Sequence, residues 1–434
     1  MMKQKSVKST ATTPKNGVSR RKILQTAAQA ATVGAIASGF PYRFNIVHGA
    51  ESFRTIGLGV SVINEIQSKA SKDIGHRIRG QALGYGAMFG KMLTQNTQYE
   101  VAEGYYNDMD VMWPNKVWQP IDTRRIKHWD QISNLAKTGK LTPGSQYGQG
   151  DAPFRQLWLD SNAKVTLNGP TRYVTMVPGW HNADSIGYNP DETGRVIDSW
   201  GDLMSDEFKG RVALLNIPQI GMMDATMAVE ALGLYKFKDK GNMTRKEIDF
   251  VIDYLIKKKK AGHFRALWET FGQSVQLMTS GEVALESMWS PAVTAIRADG
   301  VKCTYASPKE GMRGWHGGLA ISAKVSGRKL DAVYEYINWW LDGWAGAFVA
   351  RQGYYMSTYK RSKNYMSAAE WDFWYEGKPA ATDLPDPFGT IIIKKGKIRD
   401  GGSYEQRFKK IALWNSVMDE NSYLVKRWGE FKNA

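Results

Sequence analysis

Cysteine is almost absent from this sequence, which holds only Cys303 among its 434 residues. A single cysteine excludes a disulfide within the chain and the paired cysteines of a CxxC zinc or redox site. The sequence also lacks the GxSxG, HExxH and GxxxxGK(S/T) patterns and a GxGxxG that follows a strand. Its six histidines are scattered without the spacing of metal ligands. We therefore predict no catalytic residue, no metal site and no cofactor.

Acidic residues are absent from the first 50 positions, which hold eight of the 58 Lys and Arg residues. The rest of the chain has 50 basic and 42 acidic residues, so its formal charge is +8 rather than the +16 of the whole sequence. Its one basic run, Lys257 to Lys260, follows a predicted helix, whose C-terminal dipole favours cations. Because the charge is mild and not gathered into one patch, we expect no nucleic-acid partner.

A continuous apolar run of the roughly 20 residues needed to cross a membrane is also missing. Ser19 to Leu24 (SRRKIL) contains paired arginines just before the Ala-rich stretch Ile23 to Phe40, an arrangement typical of a twin-arginine export signal. The alternative is an N-terminal membrane anchor, which the polar residues within the stretch disfavour. We expect residues 1–50 to be a signal peptide, read by the twin-arginine export machinery and cleaved after Ala37 or nearer Ala50. The mature protein would then act in the periplasm.

Beyond residue 50 the sequence is rich enough in apolar residues for a large core, since 42% of all residues are hydrophobic. The predicted elements are strands at 53–63, 76–83 and 110–113 and helices at 64–71 and 84–94. Strands that alternate with helices at this spacing indicate a parallel α/β sheet. Ligands of such sheets lie beyond the carboxyl ends of the strands. Trp113 and Asn115 would lie there.

The stretch Ser307 to Ser322 (SPKEGMRGWHGGLAIS) combines a Pro/Gly-rich turn with one Trp at the entry to a strand. The segment ALESMWSPAV precedes it, and residues 330–346 follow it with the apolar spacing of an amphipathic helix. The turn brings Trp289 and Trp315 into one region, where glycines allow close backbone approach. This suits a cleft for a small ligand. The alternative is a core tryptophan beside a surface loop.

These motifs carry a resemblance to a known family. PKEG, the following Trp and LAIS, with MWS before them and YEYINWWLD after them, resemble the periplasmic spermidine/putrescine-binding family of ABC-importer receptors. The resemblance implies an α/β, two-lobed periplasmic-binding-protein fold of type II, in which each lobe is a mixed sheet flanked by helices and a hinge joins the lobes. It implies a small-molecule solute and an ABC permease in the inner membrane as partners, and we expect a monomer. Lobe 1 would be residues 51–186 with 317–360, and lobe 2 residues 187–316 with 361–434.

The resemblance also implies positions of ligand contact. Asn115 stands where the family has a small polar contact after a strand, and Asp184 lies where the chain crosses into the second lobe. Tyr354 belongs to a GYxxx turn that carries a ligand-facing Tyr, and Glu405 lies in the C-terminal region that offers a polar contact. Asp184 could instead accept from a hinge backbone N–H. The alternative role for Glu405 is that of a solvated residue at a helix start.

The sequence departs from the family where polyamine ammonium groups would be balanced. Val117 replaces a Tyr, Gly317 replaces the Asp two residues after the hinge Trp, and the predicted cleft wall has no acid before Asp224. Because a buried unpaired cation is costly, we expect weak or no spermidine binding. An aromatic box with Asp184 or Glu405 as counter-ion would instead hold a monovalent amine or quaternary ammonium group. The box would comprise Trp113, Trp289, Trp315 and Tyr354.

We therefore predict a periplasmic receptor that captures a small polar organic solute, of amine or quaternary-ammonium type, by hinge closure. One alternative is a receptor for an anionic opine- or phosphonate-like solute. The N-terminus of a helix predicted over Asp224 to Leu232 and the Arg313 side chain would hold that anion. The second alternative is a twin-arginine-exported enzyme, which no residue pattern supports.

Overall fold

The computed structural model describes residues 50–434. The predicted twin-arginine motif and its cleavage sites lie outside the described residues. Over 50–434, none of the helices has the length and apolar character needed to cross a bilayer.

The strands are β1 Ser52–Gly57, β2 Arg77–Ala82, β3 Val101–Tyr105, β4 Ile121–Asp122, β5 Gln149–Gly150, β6 Trp158–Leu159, β7 Tyr173–Val174, β8 Val177–Tyr188, β9 Val212–Leu215, β10 Phe264–Trp268, β11 Leu285–Met288, β12 Thr304–Tyr305, β13 Met312–Ile321, β14 Tyr355–Met356, β15 Leu384–Pro385, β16 Ile391–Ile393 and β17 Ile411–Trp414. The α-helices are α1 Asn64–Ile74, α2 Tyr85–Thr94, α3 Met109–Met112, α4 Asn134–Thr138, α5 Pro153–Leu157, α6 Pro190–Thr193, α7 Pro218–Ala231, α8 Arg245–Lys260, α9 Phe271–Thr279, α10 Ser290–Ala298, α11 Gly327–Leu341, α12 Trp344–Arg351, α13 Tyr359–Ser362, α14 Ala368–Trp374, α15 Tyr404–Phe408 and α16 Asn421–Asn433. Short 3₁₀ turns connect several of them.

The main sheet has the strand order β10-β9-β11-β8-β13-β3-β1-β2. Its two ends are parallel, since β1 pairs in parallel with β2 and β3, and β9 with β10 and β11. The middle is antiparallel, because β8 pairs with β11 and β13, and β13 with β3. Two parallel α/β units are thus joined through the long antiparallel strands β8 and β13, which we call the central ribbon.

The central ribbon passes between separate hydrophobic cores. Val177 and Trp180 of β8 belong to the core around β1, β3 and α11, where Trp180 lies against Trp340 with ring centroids 4.9 Å apart. Ile186 and Tyr188, farther along the same strand, belong to the core around β9, α7 and α8. A further core, formed largely by residues 371–414, packs on the ribbon between them. Burial of each large apolar side chain stabilises its core by about 1.5–3 kcal/mol.

Local sequence explains where several helices begin and end. Thr244 and Glu247 form a capping box that starts α8, and four lysines occupy its last turn, where they favour the helix dipole. The predicted helix over 330–346 is interrupted at Gly343. This residue has φ 124°, and a Cβ there would lie 2.6 Å from the carbonyl oxygen of Arg361. The segment therefore forms two helices, α11 and α12.

The strand predicted over Asp110 to Trp113 is wrong. The third strand of the parallel end is β3, and the chain then forms a 3₁₀ turn and the short helix α3. Met109 and Met112 are both buried, and their spacing of three residues fits one helical face, whereas Asp110 between them is exposed. The helix buries both methionines on one face, and this burial decides the local structure against the strand that a single valine favours.

The helix predicted to begin at Asp224 in fact begins six residues earlier. Pro218 occupies the first turn of α7, where its fixed φ favours helix initiation and its missing N–H costs nothing. Asp224 is therefore in the middle of the helix and is fully buried. Because its backbone N–H is bonded within the helix, this position offers no N-terminal anion site.

Candidate functional site

The central ribbon places Asp184 of β8 directly opposite Arg313 of β13. Residues opposite each other in an antiparallel pair project from the same face, so their side chains meet. The Arg313 guanidinium lies 3.3 Å from Asp184 Oδ2, and its Nε donates to Asp224 Oδ1 over 2.7 Å. Its Nη1 also donates to Asn415 Oδ1 over 2.7 Å. The β8, β13 and α7 elements and the C-terminal segment thus meet at one guanidinium.

This ionic cluster holds two carboxylates against one cation. Arg313, Asp184 and Asp224 are each at most 1% exposed. Neither Asp184 oxygen meets a donor in hydrogen-bond geometry within residues 50–434. Burial raises the pKa of Asp184 to about 6, and the charge of Arg313 opposes that rise. Burial likewise raises the pKa of Asp224. At neutral pH Asp184 is mostly ionised, and it shares the guanidinium of Arg313 with Asp224. A buried ionised carboxylate favours a positive group nearby.

A line of four aromatic rings extends from the same face of the ribbon. Neighbouring ring centroids are 6.1 Å apart for Tyr85 and Tyr105, 5.8 Å for Tyr105 and Trp315, and 5.8 Å for Trp315 and Tyr354. All three pairs meet edge to face. Tyr105 is buried, whereas the other three rings are half-buried. Half-buried aromatic faces are available to a ligand, and a cation is the group that such faces attract.

Buried carboxylates lie behind this aromatic line. The Tyr105 hydroxyl donates to Glu103 over 2.5 Å, and the Tyr85 hydroxyl donates to Asp108 over 2.5 Å. Burial raises the pKa of Glu103 and raises that of Asp108 to about 7. Burial also raises the pKa of the Tyr354 hydroxyl, with Asp184 and Glu103 adding to the rise. Two hydroxyls of the aromatic line therefore bond buried carboxyl groups whose pKa values burial raises.

The structure brings three of the seven predicted site residues together: Asp184, Trp315 and Tyr354. Trp289, also half-buried, instead meets Trp268 edge to face at 5.0 Å. It lies in the strand-to-helix turn before α10.

The other three predicted residues have local partners. Trp113 Nε1 donates to the carbonyl oxygen of Ala163 over 2.9 Å, and exposed Asn115 donates back to the carbonyl oxygen of Val111. Exposed Glu405 lies in the first turn of α15 and pairs with Lys409. Asn115 follows a helix rather than a strand, because the strand predicted before it does not exist. Asn115 was predicted to follow a strand, whereas it follows the short helix α3.

Sequence reasoning missed Tyr85, Glu103, Tyr105 and Asp108 as site residues. A signal for two of them existed, since Glu103 is a charged residue within the apolar strand VAEGY and Asp108 follows soon after that strand's end. Tyr85 follows Gly84 just beyond β2, again at the carboxyl end of a parallel strand. Among the described residues no group of three His, Cys, Asp or Glu side chains is arranged to hold a metal ion.

Comparisons with known proteins agree with this architecture. Residues 69–375, more than half of the chain, match the sequence model of a family described as bacterial extracellular solute-binding protein. A search of curated protein sequences found no match.

Solved structures share the fold at low sequence identity. The spermidine/putrescine ABC transporter substrate-binding protein PotD from Streptococcus pneumoniae is 14% identical with a TM-score of 0.61, over 88% of this chain and 99% of that one. A putative spermidine/putrescine ABC transporter protein from Listeria monocytogenes is also 14% identical, with a TM-score of 0.62 over 88% and 98% of the two chains. The binding protein MotA from A. tumefaciens B6, solved with glucopine, is 13% identical with a TM-score of 0.55 over 88% and 99%.

The two-lobed α/β periplasmic-binding-protein fold predicted from the sequence is thereby confirmed. The family match covers both strands of the central ribbon and six of the seven predicted site residues. The chain belongs to the bacterial extracellular solute-binding protein family.

Proposed function

We propose that the protein is the periplasmic solute receptor of an ABC importer and that its solute carries a single amine or quaternary-ammonium group. The aromatic line Tyr85, Tyr105, Trp315 and Tyr354 carries this proposal, because buried carboxylates stand behind it. Aromatic faces attract a cation by up to about 2 kcal/mol each when water is excluded. The Asp184 carboxylate would supply the counter-ion.

Capture would proceed by closure of two lobes around the solute. We keep the division into residues 51–186 with 317–360 and 187–316 with 361–434 as part of this proposal. In this division the solute would touch Tyr85, Tyr105 and Tyr354 from one lobe and Trp289 and Trp315 from the other. Its binding energy would then favour the closed form. The closed form would then dock on a permease in the inner membrane.

An anionic solute is less well supported by the ionic cluster. Arg313, the cation first considered for that role, donates to Asp224 and Asn415 and lies beside Asp184. Its guanidinium is therefore already engaged by side chains of the protein. The helix N-terminus that was expected to hold the anion is not at Asp224, because Asp224 lies in the middle of α7.

A thermal-shift screen of the mature protein would test the proposal. We expect choline, tetramethylammonium and small primary amines to raise the melting temperature, and spermidine and opine- or phosphonate-like anions to raise it little. Asp184→Asn should abolish the shift because it removes the carboxylate charge while keeping the side-chain volume. The wild-type shift should also shrink below pH 6 as Asp184 takes up a proton. Glu405→Gln, at an exposed carboxylate, is the matched control and should retain the shift.

Stabilisation by organic anions but not by ammonium compounds would contradict the cation assignment. Small-angle scattering with the stabilising compound should show a smaller radius of gyration in the bound state, since closure compacts the molecule. Unchanged scattering at saturation, together with turnover of that compound, would favour the exported enzyme instead.

A further inference from the structure

Three arginines converge on a small cavity apart from the aromatic line. Arg297 comes from helix α10, and Arg399 and Arg407 come from the C-terminal segment before and within α15. The cavity has a volume of about 20 Å³, and Ser290, at the start of α10, also lines it. A space of this size holds one group about as large as a water molecule.

Two of these arginines are bonded to neutral or acidic partners. Arg399 is 7% exposed, and it donates from Nε to the Tyr355 hydroxyl over 2.9 Å and from Nη2 to the carbonyl oxygen of Gly353 over 3.2 Å. Arg297 donates from Nε to the carbonyl oxygen of Cys303 and from Nη2 to Asp400 Oδ2 over 2.5 Å. Asp400 is therefore already engaged by Arg297.

Arg407 is the arginine whose bonding is incomplete. It is only 2% exposed, and its Nη1 donates to the carbonyl oxygen of Asp400 over 3.0 Å. Its Nε and Nη2 meet no acceptor within residues 50–434. A buried guanidinium with two unmet donors costs free energy that a bound acceptor would recover. Because the Arg407 side chain lines the cavity, an acceptor held there would lie beside it.

The charges around the cavity are unbalanced. Three guanidinium groups line it, and Asp400 is the one carboxylate among its lining residues. Asp184 is near enough for Arg407 to act on it, but Asp184 lies beside Arg313 at 3.3 Å. Burial lowers the pKa of Arg399, and the positive charge of Arg407 lowers it further.

We propose that this cavity is a binding site for one small monovalent anionic group, either a free halide or a single carboxylate carried by the solute. Arg407 donates to the group from its two open N–H positions, and Arg297 and Arg399 provide the positive field. The first source is independent of the proposed function. The second rests on it, because the segments Trp289 to Ser290 and Gly353 to Tyr354 connect this cavity with the aromatic residues.

Bromide is the direct probe of the site. Crystals of the ligand-free protein soaked in sodium bromide should show an anomalous peak within hydrogen-bond distance of Arg407 Nε and Nη2. In solution, sodium chloride and sodium bromide should raise the melting temperature above that in sodium gluconate at equal sodium concentration, because gluconate is too large for the cavity. Arg407→Gln should remove this halide dependence. Arg195→Gln, at an exposed arginine paired with Asp202 and Glu207, is the control that should keep it.

Two results together would overturn the proposal: the absence of a bromide peak at Arg407 and equal melting temperatures in chloride and gluconate. They would indicate that the cavity binds water rather than an anion. The crystal result decides the question even if Arg407→Gln does not fold.

Choline and glycine betaine distinguish the two sources of the anion, since both carry a trimethylammonium group and only betaine has a carboxylate. If the solute carboxylate occupies the cavity, chloride should weaken betaine binding by about tenfold, which corresponds to about 1.4 kcal/mol, and leave choline binding unchanged. If a free halide occupies it, chloride should affect the two compounds alike. Failure of both to bind would count against the proposed function alone, because the bromide result does not depend on either compound.

Discussion

The two faces of the central ribbon differ in whether their buried polar side chains are charged at neutral pH. One face carries Asp184 and Arg313, which are ionised neighbours, and Trp315 two residues farther along. The other face carries His181 and His316, whose rings stack at 4.7 Å with an interplanar angle of 16°. Both imidazoles are buried, and burial lowers the pKa of each, to about 4 for His316. One face therefore keeps charge at neutral pH, and the other excludes it.

The neighbouring side chains explain why one face of the ribbon is charged and the other is neutral. Arg313 has carboxylate partners from two elements, so its charge is compensated where it lies. Within residues 50–434 the polar partners of the histidines are neutral, since His181 Nε2 lies 3.0 Å from the Tyr404 hydroxyl and His316 Nδ1 lies 2.9 Å from the carbonyl oxygen of Gly317. An imidazolium in either place would be a buried charge without a counter-ion. One face of a strand can thus contact a charged ligand while its other face packs into a neutral core.

Breaking the charged face should have the largest effect on stability. Asp224→Ala leaves Arg313 buried with one carboxylate fewer, and loss of one partner of a buried ion pair costs about 3–5 kcal/mol. Urea unfolding would measure this loss. Glu405→Ala is the control, because its ion pair with Lys409 is solvent-exposed and contributes less than about 1 kcal/mol. Equal losses in the two variants would show that the cluster does not stabilise the fold.

Removing a histidine should change the pH dependence of stability. The His316 pKa is about 4 in the folded protein and about 6.5 in an unfolded chain. The unfolded state therefore gains a proton first as the pH falls, and stability present above pH 6.5 is lost between pH 6.5 and 4. The shift corresponds to about 3 kcal/mol. His316→Asn, which keeps a donor near the Nδ1 position, should be free of this loss.

The measurement is the difference in unfolding free energy between wild type and His316→Asn at a series of pH values. Comparing the two proteins removes the opposing contribution of the buried carboxyl groups, whose raised pKa values favour the fold at low pH. A difference that stays constant from pH 7.5 to pH 4 would mean that His316 has the same pKa in the folded and unfolded states.

The smallest expected effect belongs to the aromatic line. Trp315 is half-buried, so Trp315→Ala should lower the unfolding free energy by less than the roughly 3–5 kcal/mol of a core tryptophan. It should weaken binding of the ammonium ligand by up to about 2 kcal/mol, since one aromatic face is lost. Calorimetry and urea unfolding measure the two effects separately. Trp113→Ala, at a half-buried ring bonded to Ala163, should leave binding unchanged. A strongly destabilised Trp315→Ala protein that still binds normally would place Trp315 in the core.

The sequence supplied much of the fold and part of the site. Period-two and period-3.6 patterns located β2, α1 and α2 within about three residues of their observed bounds, whereas β1 ends at Gly57, well before the predicted end at residue 63. The motifs around Trp315 identified the strand β13 and the family. Short elements were less predictable, because the choice between strand and helix at residues 109–113 depended on Met109 and Met112 finding a core to face.

By itself, then, the sequence determined the alternation of strands and helices, because this depends on local pattern and spacing, and its motifs indicated the family. Only the tertiary structure decided that Arg313 meets Asp184 and Asp224 rather than a ligand, and that His181 stacks on His316. These contacts join residues about 90 or more positions apart, and they depend on the register of β8 against β13, in which a shift of one residue would exchange the two faces of the ribbon.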